Sequence, residues 1–149
     1  MKSLFEKSAV DELLERVEKI TPQTQRQWGK MNVDQMLAHC SAGIDMASGR
    51  EVPPFSFMGR IIGHFLKDMY SNDKPFDKGS PTSLKIGNDL DLDFAKEKQH
   101  LKETVVNFSQ SGLSGVTSKP HPFFGKLPPE AWGKGMYKHI DHHFKQFGI

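Results

Sequence analysis

His139 and His143 stand four positions apart near the carboxyl end of the chain, within Lys138-His139-Ile140-Asp141-His142-His143-Phe144. On an α-helix, at about 100° per residue, they lie roughly 40° apart and one turn above the other, so both imidazoles leave the same face. Trp132, Met136, Ile140 and Phe147 fall in the same arc of roughly 100°, whereas Lys134, Lys138, Asp141 and Lys145 fall outside it. The two rings therefore point into an apolar interior. Burying an imidazole without a partner costs on the order of 1–3 kcal/mol. A divalent metal ion is the simplest partner, because neutral imidazole is its commonest side-chain ligand. Helices that bind nothing also carry such pairs, and spacing alone leaves that alternative open. His142, about 60° off the pair on the polar side, is expected as a solvated surface histidine. H-E-x-x-H peptidases place a glutamate directly after their first histidine; here that position is Ile140, which disfavours such chemistry.

A third imidazole comes from a helix announced by its own start signal. Asn32 is a good N-cap, Gln35 follows three residues on as in a capping box, and Met31 and Met36 match a hydrophobic staple. The helix should run from about residue 33 to residue 47. Measured from His39, the residues Val33, Met36, Cys40, Gly43 and Ala47 share an arc of roughly 120°, which puts His39 at the edge of the buried stripe. A lone histidine there is more often a satisfied core residue than a ligand, and it gains weight from the pair on the last helix. Cys40 reads as a small buried residue rather than a catalytic thiol.

Other helices must frame these two. Ser3-x-x-Glu6 and Ser8-x-x-Asp11 both resemble helix starts, and Val10, Leu13, Leu14 and Val17 repeat at helical spacing. A first helix is expected from about residue 8, or from residue 3, to residue 20, where Thr21-Pro22 stops it. Trp28 in the linker beyond reads as a packing residue. Glycine and proline punctuate residues 48–92; residues 57–70 could hold three helical turns, and residues 71–91 read as a long crossover loop. Residues 94–110 form a further helix, with Asp89, Asp91 and Asp93 gathered at its positive end and Gly112 closing it. Phe94, Leu101, Val105 and Phe108 supply its buried stripe. Pro129-Glu130 suits the first turn of the last helix. On it, Trp132 and Met136 are expected to line the wall of a pocket, with His121 and Phe123 near the mouth. His121 sits on a stiff apolar turn between two prolines; it could face substrate or support a ligand, but hydrogen bonding to backbone is the preferred reading.

A chain of 149 residues with 36% hydrophobic content can build one domain with a real core, so residues 1–149 are read as a single domain. The formal charge of +2 is mixed along the sequence, giving no footprint for nucleic acid. The N-terminus turns acidic before any apolar stretch, and no apolar run approaches the roughly 20 residues of a membrane span. A cytoplasmic protein is the expectation. The single cysteine excludes an internal disulfide framework.

Long helices, one crossover and histidines on the second and last helices resemble the DinB/YfiT-like superfamily of four-helix-bundle metalloproteins. The likeness rests on Trp28-Gly29-Lys30-Met31, Gln35-Met36-Leu37-Ala38-His39-Cys40, His121-Pro122-Phe123-Phe124-Gly125-Lys126-Leu127 and the run from Lys138 to Gly148. These segments are similar to a widespread uncharacterised bacterial family within that superfamily. The resemblance implies an all-α, up-down four-helix bundle with one long crossover, and a metal site made by His39, His139 and His143. It also implies, by analogy, a metal-dependent thiol S-transferase using a low-molecular-weight thiol, or a small-molecule hydrolase. Zinc or nickel suits three imidazoles; iron or manganese usually brings a carboxylate, and none stands at ligand spacing beside them. The alternative is a non-catalytic bundle acting as a homodimer or interaction module, its histidines structural or vestigial, with exposed apolar candidates in residues 55–65.

Overall fold

The computed structural model describes residues 1–51, 67–79 and 91–149. Among these residues four long helices carry the fold: α1 (Lys7–Glu18), α2 (Val33–Ala47), α3 (Phe94–Ser111) and α4 (Pro129–Gln146). A single 3-10 turn, Gly112–Gly115, follows α3, and residues 67–71 are helical as well. The described residues contain no strand, so the protein is all-α, as expected. No helix among them is long and apolar enough to cross a membrane. The expected helix at residues 57–70 falls largely outside the described residues, as do residues 55–65 and most of the crossover.

Local chemistry sets the helix ends. At α2, Asn32 Oδ1 accepts from the Gln35 backbone N–H at 2.8 Å, and Gln35 Oε1 accepts from the Asn32 N–H at 2.9 Å. Two otherwise orphaned donors are satisfied reciprocally. Asp93 caps α3 through the Lys96 N–H at 3.0 Å, and Gly112 closes it at φ 58°. α1 departs from the sequence reading. Its N-cap is Glu6, with no side-chain cap; Ser8 lies inside the helix, and Ser3 Oγ instead accepts from the Phe5 N–H at 3.3 Å. Ser3 serves a local turn, as short hydroxyl side chains readily do.

α1 and α2 each pack against both α3 and α4 and not against each other. The core between them is built from Leu13 and Val17, from Met36, Leu37, Cys40 and Ile44, from Leu101, Val105 and Phe108, and from Trp132, Ile140 and Phe144, all buried. Each such large side chain contributes about 1.5–3 kcal/mol of transfer free energy. Arg16 pins α1 to the end of α4, donating to Asp141 Oδ1 at 2.8 Å and to the Ile149 carbonyl at 2.9 Å.

Lys138 corrects the helical-wheel reading, which placed it on the polar face of α4. It is buried, and its ammonium donates to the Met69 carbonyl and to both the carbonyl and the Oδ1 of Asn72. The helical residues 67–71 therefore dock on α4 through a lysine whose three protons are all engaged. Tyr70 from the same segment lies directly on the α4 backbone at Gly135.

Candidate metal centre

α2 brings His39, and α4 brings His139 and His143, to one place. The three ring centroids are 4.8, 4.7 and 4.8 Å apart, with interplanar angles of 76°, 84° and 79°. The rings thus form a nearly equilateral triangle of edge-on contacts. One nitrogen from each lies within 4.8 Å of the other two, and the Nε2 atoms of His39 and His139 are 2.9 Å apart. Three imidazole nitrogens bound at about 2.0–2.1 Å to a tetrahedral ion would be about 3.3 Å apart. The spacing therefore brackets what an ion requires. His39 and His143 are buried and His139 is partly exposed as a residue.

Electrostatics suits the rings to ligation. Burial pushes His143 down to about 3, with His39 nearby adding to the effect. His139 is held well below the usual histidine range, chiefly by burial and further by His143 and His39. Both are neutral at pH 7, the state in which imidazole offers a lone pair.

Two neighbours position the rings. A Cβ at Gly43 would lie 2.9 Å from His139 Nδ1 and 3.0 Å from its Cε1, so the absence of a side chain one turn beyond His39 gives His139 its place. Gln146 settles the tautomer of His143. Its Nε2 donates to the Trp28 carbonyl at 2.8 Å, which turns Oε1 toward His143 Nδ1 at 2.9 Å. Nδ1 must then carry the proton, and Nε2 is the nitrogen left to ligate. Gln146 is in turn fixed by the linker: the Gln27 N–H donates to its carbonyl at 2.7 Å, and Gly29, at φ 83°, leaves room that a Cβ would deny, 2.2 Å from Nε2.

The sequence reading missed Gln146. Its signal was there, three residues after His143 and so beside it on the helix surface, but nothing in the sequence revealed the Trp28 carbonyl as the second anchor. Gln146→Leu, which keeps the volume and removes the orienting acceptor, is expected to weaken metal affinity about 10–100-fold. Competition against a chromogenic chelator measures it, with circular dichroism confirming an unchanged helix content.

The remaining candidates divide. Met136 lies beside the triangle, its Sδ 3.5 Å from the Cβ position of Gly43. Trp132 is fully buried, in ring contact with Tyr70 and His121 at 6.0 and 5.2 Å. His121 binds backbone, as preferred: Nδ1 accepts from the Phe123 and Phe124 N–H groups at 3.0 and 3.2 Å. A pair of backbone hydrogen bonds between His121 and Gly125 closes the turn, and Gly125 at φ 72° makes the closure possible. Phe123 is half-buried and stacks edge-on against Phe124 at 5.1 Å. Cys40 is buried with its Sγ 3.8 Å from Met36 Sδ, and burial pushes its thiol far above the ordinary range, so it supplies no nucleophile. His142 is not the solvated histidine the wheel suggested. It is half-buried between Trp28 and Phe76, with centroids at 6.1 and 6.0 Å, because the linker and residues 72–79 cover that side of α4.

Fold and site together define an all-α protein with a three-histidine cluster that could hold a divalent metal ion. The chain belongs to the family described as "Protein of unknown function (DUF1569)", which its residues 2–148 match. No curated protein and no solved structure matches it.

Proposed function

We propose that this protein is a DinB/YfiT-like metalloprotein in which His39, His139 and His143 hold one divalent ion, zinc or nickel. In this reading it acts as a metal-dependent transferase or hydrolase on a small molecule. The observation that carries the reading is the convergence of three imidazoles from two helices. A ligand set with no carboxylate leaves the ion's double charge uncompensated, so a bound water or low-molecular-weight thiol would be deprotonated near neutral pH. The chain's own groups orient and exclude. Gln146 and the Trp28 carbonyl hold the His143 ring, Gly43 admits the His139 ring, and Met136 keeps the surroundings apolar. Cys40 is too deeply buried to attack, so it is not the nucleophile in this reading.

The test starts from metal-stripped protein. Stoichiometric uptake of zinc or nickel is expected, with affinity falling at least 100-fold in His39→Ala, since one of three ligands is removed. Loaded protein is then offered thiols with electrophiles, and hydrolysable esters and amides. Turnover that disappears in His39→Ala supports the enzyme; its absence with every pair removes that claim and leaves a metal-binding bundle. A fold that collapses on chelation would instead assign the ion a structural role.

A further inference from the structure

Beside the metal centre, on the far side of His142, Trp28, Pro75, Phe76, Lys78, Asp141 and Lys145 line an open cavity of about 230 Å³ with Lys138 and His142 in its wall. We infer that this cavity is a binding site for a single-ring aromatic anion, such as an aryl carboxylate or aryl phosphate. Three observations carry the assignment.

Size comes first. A cavity of about 150 Å³ accommodates a benzene ring, so this one has room for a single ring with a small substituent. Shape follows from its aromatic walls. Trp28 and Phe76 both meet the His142 ring edge-on, at interplanar angles of 70° and 75°, so aromatic rings form much of the lining. A flat guest ring packs against such walls.

Charge decides the third point. Three lysines line the cavity against one carboxylate, Asp141, and that carboxylate is already engaged by Arg16 at 2.8 Å and Lys145 at 2.7 Å. The Lys138 ammonium is fully engaged by Met69 and Asn72 and serves as wall. Lys78 differs from both. Its Nζ lies 4.5 Å over the Trp28 ring, and no ion pair joins it to a carboxylate among the described residues. It is therefore the cation of this lining placed to meet an anionic substituent on a ring held in the cavity beside Trp28.

The site stands apart from the metal reading, and the experiment keeps the two separate. Metal-stripped full-length protein is titrated with benzoate and phenyl phosphate, so that coordination of an ion by the ligand cannot give the signal. The Trp28 indole N–H resonance, assigned through Trp28→Phe, is followed by NMR. Both aromatic anions are expected to shift it saturably, with benzamide and inorganic phosphate at least 10-fold weaker. Lys78→Ala should weaken benzoate about 10-fold and leave benzamide unchanged, while Lys19→Ala, a charge removed from the end of α1, changes neither. No saturable shift, benzamide binding as well as benzoate, or a Lys78→Ala protein that binds benzoate as before would each overturn the assignment, whatever the metal does.

Discussion

Gly135→Ala is expected to destabilise the fold by about 2–4 kcal/mol, although alanine is the better helix former by about 1 kcal/mol. A Cβ at that position would lie 2.0 Å from Tyr70 Cε1 and 2.2 Å from Cζ, well inside any tolerable contact. The ring cannot swing aside cheaply. Tyr70 is buried, and His121, Phe124 and Trp132 surround it at centroid distances of 5.1, 5.0 and 6.0 Å. Either α4 shifts, with the overpacking penalty of about 1–3 kcal/mol, or the tyrosine leaves and forfeits a similar sum in burial. For a chain of this size each kcal/mol lowers the melting temperature by about 2–4 °C, so a drop of roughly 5–15 °C should appear in thermal melts. Coupling provides the sharper check. Tyr70→Ala should cost much less in the Gly135→Ala background than alone, because the clash is then gone. A Gly135→Ala protein as stable as the parent would show that the ring does not rest on this helix.

That contact also marks where sequence reasoning stopped. The α2 start was legible because its signal is local: Asn32 and Gln35 satisfy each other within four residues, and the observed helix has the bounds their positions imply. The histidines were legible because a period of 3.6 residues fixes which side chains share a face, and the helices α2 and α4 that carry them are long. What a helical wheel cannot contain is the neighbour. Lys138 and His142 both lie on the polar arc of α4, yet residues 67–79 and the Trp28 linker cover them, and the wheel assigns them to solvent for want of that information. Glycines gave the same difficulty. Gly43, Gly133 and Gly135 sit inside helices, where glycine only weakens the local propensity, and their purpose lies in the His139, Phe5 and Tyr70 rings that approach from elsewhere in the chain. The caps of α1 failed for the opposite reason: two serines offered equally good local signals, and the backbone used neither.

Acid should unfold this protein early, and His121 is expected to account for a measurable share of the loss. Burial among Tyr70, Phe124 and Trp132, none of them acidic, pushes its imidazole down to about 3, against about 6.5 in an unfolded chain. Its Nδ1 accepts two backbone N–H groups, so a proton there would also displace both hydrogen bonds of the turn. Above pH 6.5 the group is neutral in both states and adds no pH dependence. Below it the unfolded chain takes up a proton that the folded chain refuses, and stability falls by about 1.4 kcal/mol per pH unit until the folded value near 3 is reached. At pH 4.5 the loss from this residue is roughly 2–3 kcal/mol. His121→Asn isolates the effect, because an asparagine Oδ1 can accept the same backbone donors and does not titrate. Urea midpoints measured from pH 7 to pH 4.5, under one fixed metal condition, should show a shallower acid limb in His121→Asn by about one proton's slope. Parallel limbs would mean that His121 takes up its proton in the folded state, and that the turn around it opens more readily than its packing against Trp132 and Tyr70 implies.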